Sequence, residues 1–184
     1  MKKIVTGFLL LIVVSTISCK SSFTDAKRQE LLQLQKELDN KPFAFQAETA
    51  LPFQTQALNN VANDLLLQSG NSTARINLRG DGYTIKIGEM LAKFSLPFYG
   101  ERRLTGGYNG TNTGFDFESK MSDRNVVLEE DNGYLSYKFT TTNQTETIDV
   151  KIAIYSMENV RVDVNSSHRT FMKYEGKLVW IVEE

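Results

Sequence analysis

Thr147-Ile148-Asp149-Val150-Lys151-Ile152-Ala153-Ile154 is the stretch on which the fold is decided. Its even positions are branched and apolar, and its odd positions are polar, charged or small. A period of two marks an extended strand with one face on a core and the other in water. Val160, Val162 and Val164 repeat the pattern against Arg161, Asp163 and Asn165, with Met157-Glu158-Asn159 as a short connection between. Upstream, Leu135, Tyr137 and Phe139 oppose Ser136, Lys138 and Thr140, behind Asp131-Asn132-Gly133. Asn-Gly tolerates the positive φ of a type I′ hairpin turn, which is the expectation there. Ile76 and Leu78 alternate with Arg75, Asn77 and Arg79; Gly80-Asp81-Gly82 then offers hairpin chemistry before Tyr83, Ile85 and Ile87. Phe43, Phe45, Ala47 and Thr49 open the pattern, and Glu175-Gly176-Lys177 reads as a further connection.

Alternation this clear is the habit of antiparallel sheets, and strands do not alternate with helices as a parallel sheet requires. The expected fold is mainly β: an antiparallel β-sandwich or a flattened, partly closed barrel of about eight to ten strands, with one or two peripheral helices. Leu31, Leu34 and Leu38 recur at helical spacing with Leu32 beside them. Thr24 suits an N-cap, Asp25 the positive end of the dipole, and Asn40-Lys41-Pro42 a stop. This predicts a helix from about 25 to 39, roughly 22 Å long, packing its leucine stripe on the body. Ala57, Leu58, Val61, Ala62, Leu65 and Leu66 predict a second short helix near 55 to 67.

The beginning of the chain reads as an address. Lys2 and Lys3 precede an apolar run over 4–14 broken only by Thr6 and Gly7, and Ser15-Thr16-Ile17-Ser18 leads to Cys19. That order is a secretory signal peptide over 1–18. The apolar stretch, about 14 residues, falls short of the roughly 20 that cross a bilayer. The small residues ending in Ser-Cys resemble the lipobox of bacterial lipoproteins, although Thr16 stands where a hydrophobic residue is commonest. The resemblance implies a diacylglyceryl group on Cys19, which becomes the first residue. Acyl chains contribute about 0.8 kcal/mol per buried methylene, so membrane lipid is the expected partner. The organisation follows: signal peptide 1–18, lipidated N-terminus and helical tether 19–41, and a single β-rich domain 42–184.

Composition mainly excludes. The 184 residues suit one domain with an extension. Lys and Arg number 21 against 22 Asp and Glu, a net charge of −1 that gives nucleic acid nothing to bind. Loss of Lys2 and Lys3 with the leader would make it −3. A single Cys and a single His exclude an internal disulfide framework and a multi-histidine or multi-cysteine metal site, and no cofactor is expected.

The glycine-rich run Gly106-Gly107-Tyr108-Asn109-Gly110 lacks the Gly-Lys-Ser/Thr ending of a phosphate loop. It belongs to a long loop over about 100 to 113 that also holds Glu101, Arg102 and Arg103. Arg102, Arg103 and Tyr108 are the candidate ligand-binding residues: two cations and an aromatic face for an anionic or sugar ligand. Near Ser166-Ser167-His168-Arg169, Ser167 and His168 are expected on opposite faces of a strand. Ser166 and His168 would share a face roughly 6–7 Å apart, so no serine–histidine catalysis is expected and no catalytic residue is assigned. Glu129-Glu130-Asp131 reads as a solvated hairpin tip.

Several motifs taken together resemble a known family. They are Phe45-Gln46-Ala47 with Ala50-Leu51-Pro52, the Gly80-Asp81-Gly82 turn, Leu96-Pro97-Phe98-Tyr99-Gly100, Gly114-Phe115-Asp116-Phe117, Val164-Asn165-Ser166-Ser167-His168-Arg169 and Tyr174-Glu175-Gly176. Their order over about 43 to 177 resembles domain-of-unknown-function family 4251, found largely as lipoproteins of Gram-negative bacteria. The resemblance implies an envelope lipoprotein domain and carries no assigned activity or ligand. The expectation is a membrane-anchored, non-enzymatic binding or interaction module facing the periplasm, its partner an envelope protein or a small ligand. The alternatives are an apolar-ligand carrier in a hollow barrel and a hydrolase using paired carboxylates.

Overall fold

A computed structural model describes residues 23–53, 72, 74–103 and 114–181. The signal peptide, Cys19, the helix expected near 55 to 67 and Tyr108 lie outside the described residues. Among the described residues one helix, α1 (Asp25–Asn40), precedes nine strands. These are β1 (Phe43–Pro52), β2 (Ile76–Asn77), β3 (Thr84–Ile87), β4 (Leu91–Leu96), β5 (Phe115–Glu129), β6 (Tyr134–Asn143), β7 (Glu146–Ser156), β8 (Asn159–Ser166) and β9 (Met172–Trp180).

Every pairing is antiparallel, and from β3 to β9 each strand pairs with the next. β1 pairs with β3 along one edge and with β9, from Phe43↔Trp180 to Pro52↔Met172, along the other. The sheet therefore closes on itself as an eight-stranded barrel, with β2 as an extra two-residue strand beside β1. Of the two expected arrangements the barrel is found, and it is fully closed, not partly.

The alternation does what the sequence demands. Ile148, Val150, Ile152 and Ile154 on β7 and Val160, Val162 and Val164 on β8 are all buried in one apolar interior with Phe43, Phe45, Phe94, Phe115, Tyr137 and Tyr174. Aromatic rings pack there edge to face, as with Phe43 on Tyr137 at 5.5 Å, or stacked, as with Phe94 on Phe117 at 4.6 Å.

Four local expectations are corrected. Gly80-Asp81-Gly82 does not turn a hairpin: Ile76 and Asn77 before it and residues 84–87 after it pair with the same strand, β1. Leu78 N donates to Glu48 O and Ala47 N to Tyr83 O, so residues 79–82 loop out of one continuing line. Gly176 lies inside β9, opposite Ala47 of β1, so 175–177 is no connection. A Cβ there would collide with the main-chain oxygen of Gln46, and only glycine lets the closing strands approach. Only Gly133 has positive φ in the β5–β6 turn, so the turn is not type I′. The period also slips in β1, where an irregularity at Glu48 puts Ala50, not Thr49, on the inward face opposite Tyr174.

α1 begins at the expected residue and ends one later than expected. Thr24 Oγ1 accepts from Lys27 N, and Lys41 N donates to Glu37 O at the stop. The long β5 pairs with β4 only over its first part, Phe115 to Lys120. The helix lies along the remainder: Arg28 pairs with Glu130, Gln35 Nε2 donates to Val126 O, and Arg124 pairs with Asp39. Covering that edge removes a template for strand addition. Leu31, Leu34 and Leu38 are buried in the barrel's apolar interior, each contributing roughly 1.5–3 kcal/mol. The helix thus marks one end of the barrel, with the β3–β4, β5–β6 and β7–β8 turns. The opposite end carries residues 97–103 and Gly114 and the connections over 144–145 and 167–171.

Candidate functional site

The end remote from the helix is organised by a buried ion pair. Glu146 opens β7 facing inward and is 7% exposed; Arg169, after the end of β8, is 5% exposed. Arg169 Nε lies 2.8 Å from Glu146 Oε1 and Nη2 donates to Oε2 at 3.1 Å, a two-point contact. Nη1 donates to Gly114 O at 2.8 Å, and the guanidinium lies over the Phe115 ring at 4.5 Å and the Phe98 ring at 5.3 Å. Ser166 Oγ donates to Glu146 and accepts from the main-chain N–H groups of His168 and Arg169. Nothing in the alternation of β8 announces this, because Arg169 reaches Glu146 and Ser166 only after the strand has ended.

Upon this base sits the rim. Arg103 N donates to His168 O at 2.7 Å, Thr170 N to Glu101 O at 2.9 Å, and Glu101 N to Thr170 Oγ1 at 3.1 Å. Arg102 and Arg103 are both exposed on this pinned segment. The structure therefore places two of the three candidate ligand residues on one short, fixed stretch. Behind it Tyr174 Oη donates to Pro97 O, and burial pushes its phenol well above the usual tyrosine range.

One expectation about the histidine is overturned. β8 ends at Ser166, so Ser167 and His168 leave the strand and do not point apart. Ser167 Oγ lies 2.7 Å from His168 Nδ1, and Thr145 Oγ1 lies 3.5 Å from Nε2. Ser167 Oγ also accepts from Thr147 N, and the group on the far side of the ring is a hydroxyl, not an orienting carboxylate. At the other end, Glu130 of the acidic hairpin tip is engaged by Arg28.

A second feature, unanticipated from sequence, is a depression of about 360 Å³ on the outer wall of β5–β8. Lys138, Lys151 and Asp163 border it in one cross-strand row, and Thr140, Asp149 and Asn165 in the next. Asp123 closes one end. It sits in the β5 irregularity between Ser122 and Asn125 with φ of 53°, a bulge that re-aims the side chain. Phe171 stands at the other end. Read singly, each of these is an ordinary polar or aromatic residue; the row forms only through the registers of β6 to β9, which the sequence does not show.

Inside the barrel, the Tyr137 hydroxyl is buried with no hydrogen-bond partner among the described residues. Burial raises its pKa, with Arg124 opposing and Asp39 adding to the shift. Arg124 lies over the ring at 5.6 Å. Among the described residues no group of His, Cys, Asp and Glu is arranged to hold a metal ion.

Fold and features together define a small closed antiparallel barrel with a helix against one end and a pinned polar rim at the other. The chain belongs to the family described as Domain of unknown function (DUF4251), which matches residues 25–178 and so takes in α1 as well as the barrel. No curated protein matches the chain.

Proposed function

We propose that the protein is a non-enzymatic binding module of the cell envelope, held at a membrane by a lipid on Cys19 and facing the periplasm. Its ligand-accepting part is the rim. The observation that carries this reading is the fixing of residues 101–103 to residues 168–170 by main-chain hydrogen bonds. Long side chains on a fixed base lose less freedom when a ligand arrives, and Arg102 and Arg103 bias the rim toward anions. The anchor fits the same orientation. Four residues separate Cys19 from Thr24, five steps or at most about 18 Å of chain, so the helix end stays near the membrane and the rim faces away.

Calorimetric titration of the full chain in detergent micelles with a galacturonic-acid hexamer tests the proposal. Binding that weakens with added salt and falls by about tenfold or more in Arg102→Ala/Arg103→Ala is the expected result. Unchanged affinity in that variant, or no binding, refutes it. A second reading, an apolar-ligand carrier, is favoured by one observation: the Tyr137 hydroxyl in the interior, which has no hydrogen-bond partner among the described residues. Stoichiometric uptake of a fluorescent fatty acid, weakened by Tyr137→Phe, would favour the carrier instead.

A further inference from the structure

The outer groove has a chemistry of its own. Lys138, Lys151, Asp163 and Lys173 are cross-strand neighbours on β6 to β9, and Thr140, Asp149 and Asn165 run beside them. From Asp123 on β5 to Phe171 beside β9 the groove crosses four inter-strand spacings, roughly 19 Å. Asp163 Oδ1 is buried beneath the groove wall with no hydrogen-bond partner among the described residues, and only Oδ2 can face a ligand. Asp123, Asp149 and Asp163 line the groove with Lys138 and Lys151, and Lys173, outside the lining but against the Phe171 ring, brings the charges into balance. None of the six is in an ion pair among the described residues.

A field without net sign selects neither an anion nor a cation. Lys151 Nζ donates to the Tyr134 hydroxyl and Asp149 Oδ1 accepts from Thr140 Oγ1. Amines only donate and carboxylates only accept, whereas a hydroxyl does both, so a chain of hydroxyl groups answers the positions that remain. Phe171 is half-buried, carries the Lys173 amine at 5.4 Å from its centroid, and supplies an apolar wall for the C–H face of a sugar ring. An extended peptide has no ladder to join here, because β6, β7 and β8 are paired on both edges. We propose that the groove across β5–β9 is a binding site for an uncharged oligosaccharide lying across the strands.

The test is calorimetric titration of the full chain in detergent micelles with three hexasaccharides: of N-acetylglucosamine, of β-1,4-linked glucose and of α-1,4-linked glucose. At least one binds, with an affinity insensitive to added salt. Phe171→Ala and Asp163→Asn each weaken it about tenfold or more, while Arg102→Ala/Arg103→Ala leaves it unchanged. Asp149→Asn, an exposed substitution, repeats the test without touching a buried atom. Thermal melting verifies that each variant is folded. Failure of all three sugars to bind, binding that salt abolishes, or binding that survives all three groove substitutions overturns the proposal. Loss of binding in the arginine variant alone would move the sugar to the rim and overturn it equally.

Discussion

Replacing Glu146 with alanine leaves Arg169 charged and buried among Phe98, Phe115 and the Gly114 carbonyl. Both partners are more than nine-tenths buried, so water cannot take over the lost contact without opening the rim. Breaking a buried pair from one side costs about 3–5 kcal/mol, far more than the 0–1 kcal/mol of an exposed pair. Ser166 Oγ loses its acceptor as well, adding about 1 kcal/mol. For a domain of this size each kcal/mol lowers Tm by about 2–4 °C, so the combined loss of about 4–6 kcal/mol should lower the melting point by roughly 8–24 °C. Urea unfolding followed by the fluorescence of Trp180, which packs edge-on to Phe43, measures the loss directly. Arg169→Met in the Glu146→Ala background should recover part of the stability, because an apolar pair removes the stranded charge. A loss below about 1 kcal/mol, or no recovery in the double variant, would refute the view that this pair is desolvated.

The barrel seam and the buried phenols give further tests. Gly176→Ala drives a methyl into the Gln46 carbonyl at the β1–β9 closure and should cost about 1–3 kcal/mol by urea unfolding; a neutral result would mean that the closing strands part easily. Tyr137 and Tyr174 have pKa values raised above 10.0 by burial, so the folded state keeps protons that the unfolded state has released. Their contribution is therefore complete below pH 10 and declines above it, by about 1.4 kcal/mol per pH unit for each tyrosine. Tyr137→Phe should flatten that alkaline decline, and an unchanged pH profile would show that the hydroxyl is not desolvated. Labelled palmitate should enter the protein in the producing cell and be absent from Cys19→Ala; label retained by that variant would refute the lipid anchor.

Period-two alternation in 147–154 and 160–165 was enough to place β7 and β8, and the leucines of α1 were enough to place the helix, because those signals are local. Closure was not legible. It depends on residues 43–52 meeting residues 172–180, and the one trace of it, Gly176, has the same local chemistry as a turn. Gly80-Asp81-Gly82 misled for a related reason: the residues that end a strand at a hairpin also let four residues bulge from a strand that continues. Arg102 and Arg103 were visible as a charged pair in a loop. The ion pair beneath them was not, since Glu146 and Arg169 are 23 residues apart and each resembles a solvated charge beside a turn. Asp123 joins the groove only through its bulge, which the surrounding polar alternation conceals.

The ring of strands also has a schedule. A chain made from its N-terminus presents β1 early, yet one whole edge of that strand waits for β9, about 130 residues later in synthesis. Until then an aromatic-rich ribbon stands open, with every incentive to pair with the wrong neighbour. Assembly therefore ends where it began, and the final β1–β9 seam, not any single hairpin, sets the pace at which the native state appears.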